Sequence, residues 1–319
     1  MSKALIAMSG GVDSSVAAYM TRQLGYECTG VTMKLFHNED IGVSCSKTCC
    51  SLDDVEDARS VAYKLGIPHY VFNFTAAFRS NVIERFVAAY ENGATPNPCI
   101  DCNRYLKFDS LYRRAEELGC TYVVTGHYAR IEEKNGRFFL KKAYDTSKDQ
   151  SYVLYSMTQG QLGHTRFPLG ELSKKETRRI AEQQGFLNAD KPDSQDICFA
   201  QGGDYADFIR KYTGKTYPEG DFVDAEGAFL GKHTGIIDYT VGQCRGLGIS
   251  ASMPLYVTEI RTDTNSIVLG GREGLFHAAL RLRILTGLHL MCRSGLLQKD
   301  RRQCCMTEIL FSEEGQYRS

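Results

Sequence analysis

The stretch LIAMSGGVDSSVAAYM, residues 5–20, joins an apolar run to an amphipathic one through Ser9-Gly10-Gly11. Lys3 to Met8 reads as a short buried strand, and Ser14 to Leu24 as a helix with Val16, Ala17, Met20 and Leu24 on one face. Gly25 ends that helix, since glycine takes the positive φ that a helix stop requires. A strand that turns through glycines into a helix points several backbone N–H groups along the positive helix terminus, a geometry that receives anions. A side chain on Gly10 or Gly11 would hold a phosphate away from those amides, while the serine hydroxyls add donors. The stretch is neither GxxxxGK[ST] nor GxGxxG, and it lacks the lysine with which Walker loops handle a γ-phosphate. Asp13 is either a cap of the helix or a carboxylate placed to hold Mg²⁺ against phosphates.

Outward from this unit the alternation repeats. Thr29–Phe36 reads as a second strand. A second helix from Ser51 carries Val55, Ala58, Ala62 and Leu65 inward and stops at Gly66. Pro68–Phe74 gives a third strand, Phe78–Tyr90 and Asn103–Leu118 two more helices, and Thr121–Thr125 a further strand. This order predicts an α/β fold built on a doubly wound parallel sheet. Asn135-Gly136 predicts a hairpin turn, and Ser173 with Glu176 a capping box that opens a helix ending at Gly185. From about residue 214 the chain turns glycine-rich with short alternating segments, which predicts a small β domain. The expected division is 1–205, 206–272 and 273–319.

The totals bound the reading. The chain has 319 residues, 43% hydrophobic and 24% charged, the balance of a globular protein with sizeable cores. Lys plus Arg equals Asp plus Glu at 38 each, so any basic face for nucleic acid is local. The start lacks a secretory pattern, and no stretch approaches the roughly 18 apolar residues of a membrane span, so a cytoplasmic protein without a membrane partner is expected. In that compartment the twelve cysteines are read as reduced thiols.

Two cysteine stretches bear on the chemistry. ATPNPCIDCN, residues 94–103, carries Cys99 and Cys102 in a proline-punctuated loop before a helix, and DSQDICF, residues 193–199, carries Cys198. A thiol near a helix N-terminus has its pKa depressed and becomes a nucleophile, the placement expected of Cys102. Taken alone, the CxxC is equally a dithiol pair, half of a zinc site or plain structural cysteine. Cys28 and Cys120 flank strands and read as core, while Cys45, Cys49 and Cys50 precede the second helix in a loop where metal binding is conceivable.

SGGVDS, placed first in a βα unit, resembles the PP-loop of the ATP pyrophosphatases, which release pyrophosphate while a substrate oxygen takes the adenylyl group. With TPNPCIDCNRYLKF, TGHYAR, KDQSYVLY, FPLG, DSQDICF and HTGIIDYTVGQ in this order, residues 1 to about 272 resemble the bacterial and mitochondrial tRNA-specific 2-thiouridylase family. The resemblance implies ATP-dependent adenylation of O2 of an anticodon wobble uridine and its replacement by sulfur. It implies an ATP site of Ala7, Met8, Ser9, Gly10, Gly11, Val12, Asp13, Ser14, Met33 and Gly126, with Mg²⁺ as companion ion. Cys102 would be the nucleophile and Cys198 the persulfide carrier, loaded by a cysteine desulfurase or a sulfur-relay protein, and the two would close a disulfide in each cycle. Asn97, Pro98 and Cys99 would line the target base, and His127, Lys148, Asp149 and Gln150 would contact tRNA. Cys99 stands where many members have Asp, so Cys99, Cys102 and Cys198 are alternatively ligands of an iron–sulfur cluster.

Two departures stand against the pattern. Residues 242–249 read GQCRGLGI where the family usually reads GQRRGLGI, one positive charge fewer. Residues 275–319 do not resemble the family's β-barrel, although LRLRIL reads as a strand. A truncated or altered third domain is therefore expected, with reduced or absent tRNA modification as its consequence. The rival readings are a PP-loop amidating ligase, which needs no paired cysteines, and a non-catalytic tRNA- or metal-binding relative.

Overall fold

The computed structural model describes residues 1–36, 52–193, 197–200, 204–277, 282–283 and 289–290. The chain forms two compact units, one of Met1–Ala88 with Pro96–Thr216, the other of Ala89–Thr95 with the chain from Tyr217 onward.

The first unit is built on a five-stranded sheet in the order β3-β2-β1-β4-β7. Its strands are β1 (Lys3–Ala7), β2 (Glu27–Lys34), β3 (His69–Asn73), β4 (Tyr122–Val124) and β7 (Thr165–Arg166), and every neighbouring pair runs parallel. Ala4, Leu5 and Ile6 of β1 have no exposed surface, which is why its sequence is a continuous apolar run and not an alternating one. The order reverses at β1: β2 and β3 extend the sheet on one side, β4 and β7 on the other. In open α/β sheets the crevice beyond the strand ends at such a reversal is the ligand position. The Ser9-Gly10-Gly11 turn follows β1 and Thr125-Gly126 follows β4, so both lie there.

Helix α1 (Val12–Gln23) begins two residues earlier than its sequence suggests and buries Val16, Ala17 and Ala18 against the sheet. Leu24 falls just beyond it and is mostly exposed, because the helix stops there and Gly25 takes φ +82°. Helix α2 (Leu52–Leu65) presents Ala58, Val61, Ala62 and Leu65 inward as its periodicity predicts, with Val55 only half-buried.

The next helical stretches differ more from expectation. The first starts at Thr75, as α3 (Thr75–Phe78), and passes through wide π-type turns at Arg79–Ile83 into α4 (Glu84–Glu91). The second starts at Pro98, not Asn103, as α5 (Pro98–Asp101), then runs through a wide-turn segment Cys102–Ser110 into α6 (Leu111–Glu117). Proline sets φ for a first helical residue, and the Asn97 side chain accepts from the Cys99 amide at 3.0 Å, so the helix is nucleated there. Cys102 therefore lies one turn inside the helical stretch, and Cys99 takes the N-terminal place expected of Cys102.

The hairpin β5 (Ala129–Lys134) and β6 (Arg137–Lys142) turns through Asn135 and Gly136, both at positive φ. A short helix α7 (Gln159–Gly163) precedes β7. Helix α8 (Lys174–Gln183) opens on the expected capping box, in which Ser173 Oγ accepts from the Glu176 amide at 3.2 Å and the Glu176 carboxylate accepts from the Ser173 amide at 2.8 Å. Replacing Ser173 with alanine removes one of these bonds and should cost about 1 kcal/mol. The check is a lowered urea midpoint at unchanged slope; an unchanged midpoint would show that the cap contributes nothing. Helix α9 (Tyr205–Thr213) brings Phe208 against Phe199, whose ring also meets Phe78 and Phe86 edge-on, forming an aromatic core separate from that under α1.

The second unit holds a four-stranded sheet, β10-β11-β8-β9, of β8 (Gly220–Val223), β9 (Phe229–His233), β10 (Tyr256–Arg261) and β11 (Ser266–Gly270). Only β11 and β8 pair in parallel. Phe222, Tyr239, Val257, Ile267 and Leu269 form its core. Within residues 280–285, Leu282–Arg283 is a strand paired antiparallel with His289–Leu290. The expected alteration of the third domain otherwise lies outside the described residues, as do Cys45, Cys49 and Cys50.

Candidate active site

No side chain caps α1 at Gly11, so the first-turn amides face the crevice without an internal acceptor from a cap. The serines of the turn are spent on its shape. Ser14 Oγ accepts from the Ser9 amide at 3.1 Å and donates to the Gly11 carbonyl at 3.0 Å, and Ser15 Oγ donates to the same carbonyl at 3.0 Å. Ser14 and Ser15 are buried, which leaves Ser9 as the exposed hydroxyl of the three. Gly10 sits at φ +76°, and a Cβ there would stand 2.4 Å from the Asp54 carbonyl oxygen. Gly126 approaches from β4, where a Cβ would stand 2.8 Å from both the Asp13 carbonyl carbon and the Ser14 nitrogen. Gly126 and the Asp13–Ser14 peptide, 113 and 112 positions away in sequence, thus meet backbone to backbone at the mouth of the crevice.

Asp13 is not the cap of the helix; it is the second residue of α1. Its carboxylate takes the Lys174 ammonium at 2.7 and 2.8 Å and the Tyr128 hydroxyl at 2.9 Å. Burial, and then the negative charge of Asp13, pushes the Tyr128 phenol well above its ordinary value, so it remains a proton donor. Lys174 also reaches Asp193 at 2.7 Å, and Asp193 takes Lys148 at 3.0 Å and Arg178 at 2.9 Å. Burial opposes the charge of Asp193, but Lys174 and Lys148 outweigh it and hold the carboxyl below its usual range. Beneath the turn, Asn188 Nδ2 donates to the Gly10 carbonyl at 2.8 Å and to Ser15 Oγ at 2.9 Å. Lys191 binds Asp54 at 2.6 Å and Asp57 at 2.7 Å; burial works against its charge, and the two carboxylates still hold its pKa above the usual value.

The cysteine segments are tied to one helical stretch. Asp101, beside Cys102, accepts from Arg85 at 3.2 Å, and Phe199, beside Cys198, packs edge-on against Phe86 with ring centroids 5.2 Å apart. Cys102 and Cys198 are both half-buried, and Cys99 is exposed. Burial pushes the Cys28 thiol up to about 11 and raises Cys120 too, so neither is a nucleophile near neutral pH.

Residues 2–202 match the family described as the tRNA methyl transferase HUP domain, and residues 206–271 match the tRNA methyl transferase PRC-barrel domain. The chain is 51% identical over 280 residues to the tRNA-specific 2-thiouridylase MnmA of Clostridioides difficile (strain 630), covering 87% of this chain and 77% of that protein. It is 51% identical over 278 residues to the enzyme of the same name from Lachnoclostridium phytofermentans, covering 86% and 78%. The chain belongs to the tRNA-specific 2-thiouridylase family.

Of the residues expected to face tRNA, His127 and Pro98 are buried, Lys148, Asp149 and Gln150 are half-buried, and Asn97 and Cys99 are exposed. His127 is buried between the rings of Phe108 and Phe167, with Nδ1 2.7 Å from Thr125 Oγ1. Burial, and then Lys107, drives its pKa well below the usual value, so it is a neutral packing residue and not a surface cation. Lys148 is paired with Asp193. Asp149 accepts from the Ala143 amide at 2.8 Å, and Gln150 Oε1 accepts from the Tyr128 amide at 3.0 Å. The KDQ stretch thereby braces Tyr128, which in turn holds Asp13. Asn97 is exposed beside its capped amide, Pro98 is buried, and Met33 lies on β2 opposite Phe72.

Neither metal expectation finds a ligand set. Among the described residues no three His, Cys, Asp or Glu side chains are grouped as a metal ion requires. Cys99, Cys102 and Cys198 are all described and do not form such a group. Both Asp13 oxygens take the Lys174 ammonium, which stands beside the turn as a positive charge of the chain's own.

Sequence reasoning passed over Tyr128, Lys174, Asn188, Lys191 and Asp193. Asp193 opens the quoted DSQDICF, and the Ser173 cap fixes where Lys174 begins its helix; the partners of both are remote in sequence.

Proposed function

We propose that this chain converts a tRNA uridine to 2-thiouridine, with ATP as the activating substrate. What carries the reading is the roughly one-half identity, over more than four-fifths of the chain, to proteins that bear this activity in their names. The uncapped first turn of α1, met by Gly126 at the sheet reversal, suits a triphosphate. The uridine O2 attacks the α-phosphorus, the bond to the β-phosphate oxygen breaks, and pyrophosphate leaves. The C2–O bond, inert in uridine, then has AMP as its leaving group.

Sulfur arrives as a persulfide on Cys198, loaded by a cysteine desulfurase or a sulfur-relay protein. Its terminal sulfur attacks C2 and AMP departs, leaving the base joined to Cys198 through a disulfide. The Cys102 thiolate attacks Cys198 Sγ, the S–S bond to the base breaks, and 2-thiouridine is released with a Cys102–Cys198 disulfide. A dithiol reductant supplies the two electrons that reset the pair. The target base must leave its stack to reach half-buried thiols, which favours a single-stranded anticodon loop.

The experiment incubates the protein with ATP, a magnesium salt, unmodified tRNA transcript and a desulfurase with cysteine, then digests the tRNA and separates its nucleosides. Expected is ATP-dependent 2-thiouridine approaching one per tRNA. Folded protein that yields none, with a thiouridylase relative active in the same mixture, overturns the proposal.

A further inference from the structure

The cysteine loop has an aromatic neighbour that the sulfur chemistry leaves unused. Asn97, Ile100 and Asn103 lie three positions apart and so share one face of the helical stretch that carries Cys99 and Cys102. That face packs against a 3₁₀ turn, Ser151–Leu154. Ile100 joins the apolar cluster of Val153 and Leu154, and Asn103 Nδ2 lies 3.5 Å from the Val153 carbonyl. At the outer end the Asn97 carboxamide bonds in two directions. Its oxygen accepts from the Cys99 amide at 3.0 Å, and its NH₂ group donates to the Tyr152 hydroxyl. Tyr152 is thereby held at its tip as well as by its backbone, beside Cys99.

Its ring is also accessible. Tyr152 is 37% exposed, between half-buried Ser151 and buried Val153. Phe108 and Phe199 are buried, and Tyr105 has the guanidinium groups of Arg85 and Arg104 over it, 5.3 and 5.9 Å from its centre. Partial burial, and then the neighbouring Cys99, raise the Tyr152 phenol above its ordinary value, so the ring is uncharged and does not repel a polyanion. A base drawn out of an anticodon loop loses the stacking on both its faces, and proteins that read single-stranded RNA replace it with an aromatic side chain. Asn97 is spent on its two bonds and Pro98 is buried, so neither gives the base a flat surface.

We propose that Tyr152 is the platform on which the extruded uracil stacks, held flat beside the Cys99–Cys102 segment, with Asn97 as the residue that orients the ring. The inference rests on the functional reading above and deepens it by naming what receives the base. Every base has a π-face, so the stack holds the uracil in place without selecting it.

The test places 5-iodouridine at the thiolated position of the substrate tRNA, ligated from two pieces, and irradiates its complex with the full chain and α,β-methylene ATP. Light breaks the carbon–iodine bond, the pyrimidine joins an aromatic ring stacked on it, and mass spectrometry of the digested adduct identifies the residue. A crosslink to Tyr152 is expected. Tyr152→Leu has no π-face and should lower kcat/KM for tRNA about tenfold to a hundredfold in pyrophosphate release, while ATP titration without tRNA stays as in the wild type. Tyr152→Phe keeps the ring and should recover most of that loss. If it is as impaired as Tyr152→Leu, the hydroxyl and not the ring is what matters, and the proposal falls. A crosslink to a different residue, or no adduct from a wild type that makes 2-thiouridine, overturns it too, and neither result depends on a variant that folds. A wild type that makes no 2-thiouridine overturns the functional reading instead.

Discussion

Cys198→Ser should make at least about 10³-fold less 2-thiouridine than the wild type, while the first equivalent of pyrophosphate is released from ATP and unmodified tRNA at near wild-type rate. A serine hydroxyl cannot carry a sulfane sulfur, so the delivery step is lost and not merely slowed, whereas adenylation needs no thiol. Cys102→Ser should lose product formation to a similar extent but for a different reason. It leaves the base joined to Cys198 through a disulfide, a protein–tRNA adduct that dithiothreitol dissolves and that denaturing gels detect. If instead the Cys102 thiolate cleaves the persulfide and frees sulfide as the attacking species, no adduct forms and added sulfide rescues Cys102→Ser. The double variant should be no worse than either single one, because residues acting in one sequence of steps are not additive. An amidating ligase would be indifferent to both substitutions; retained wild-type turnover of ATP to a product without sulfur would support that rival and sink the sulfur chemistry.

How much of this was legible beforehand follows the range of the interactions. The βα unit at the N-terminus could be read because each of its signals is local: an apolar run, two glycines and a helical period lie within 25 residues. The capping box at Ser173 and the Asn135-Gly136 hairpin are local in the same way, and both stand as expected. The start of the Cys102 helix was displaced because the asparagine cap and Pro98 outweigh the weaker periodicity that pointed to Asn103. Strand β7 has two residues, too few to show a period, and exists because β4 offers an edge to Thr165 and Arg166. The ion network is the extreme case. Asp13 and Lys174 are 161 positions apart, and nothing near either residue in sequence signals the other. The tie of Asp13 to Lys174 is invisible in the sequence, where Asp13 reads only as a cap or a carboxylate for a cation. The same distance explains KDQ, which as a bare tripeptide looks like a solvated loop and is instead the brace behind Tyr128.

The two glycines of the turn look equivalent in sequence, but their surroundings predict opposite failures. Gly10→Ala should destabilise the protein. Its φ of +76° is a conformation that L side chains rarely adopt, and the new methyl would stand 2.4 Å from the Asp54 carbonyl oxygen and 2.7 Å from the Asp54 Cα. Both obstacles are backbone, which cannot swing aside. Left-handed strain of about 1–2 kcal/mol and overpacking of about 1–3 kcal/mol together predict a loss of about 2–5 kcal/mol. That lowers the melting temperature by roughly 4–20 °C for a unit of this size. Gly11 has φ −87° and ψ 161°, ordinary extended backbone, and a Cβ there meets only Ser9 Oγ at 3.6 Å. Gly11→Ala should therefore melt within about 1 °C of wild type, yet lose ATP affinity by about tenfold or more, because the methyl would occupy the space in which the phosphates approach the amides. Calorimetric melting and ATP titration on both variants separate the two effects. A Gly11→Ala protein that binds ATP as well as the wild type would show that the triphosphate does not sit on this turn, and would remove the basis for locating the chemistry at the β1–β4 crevice.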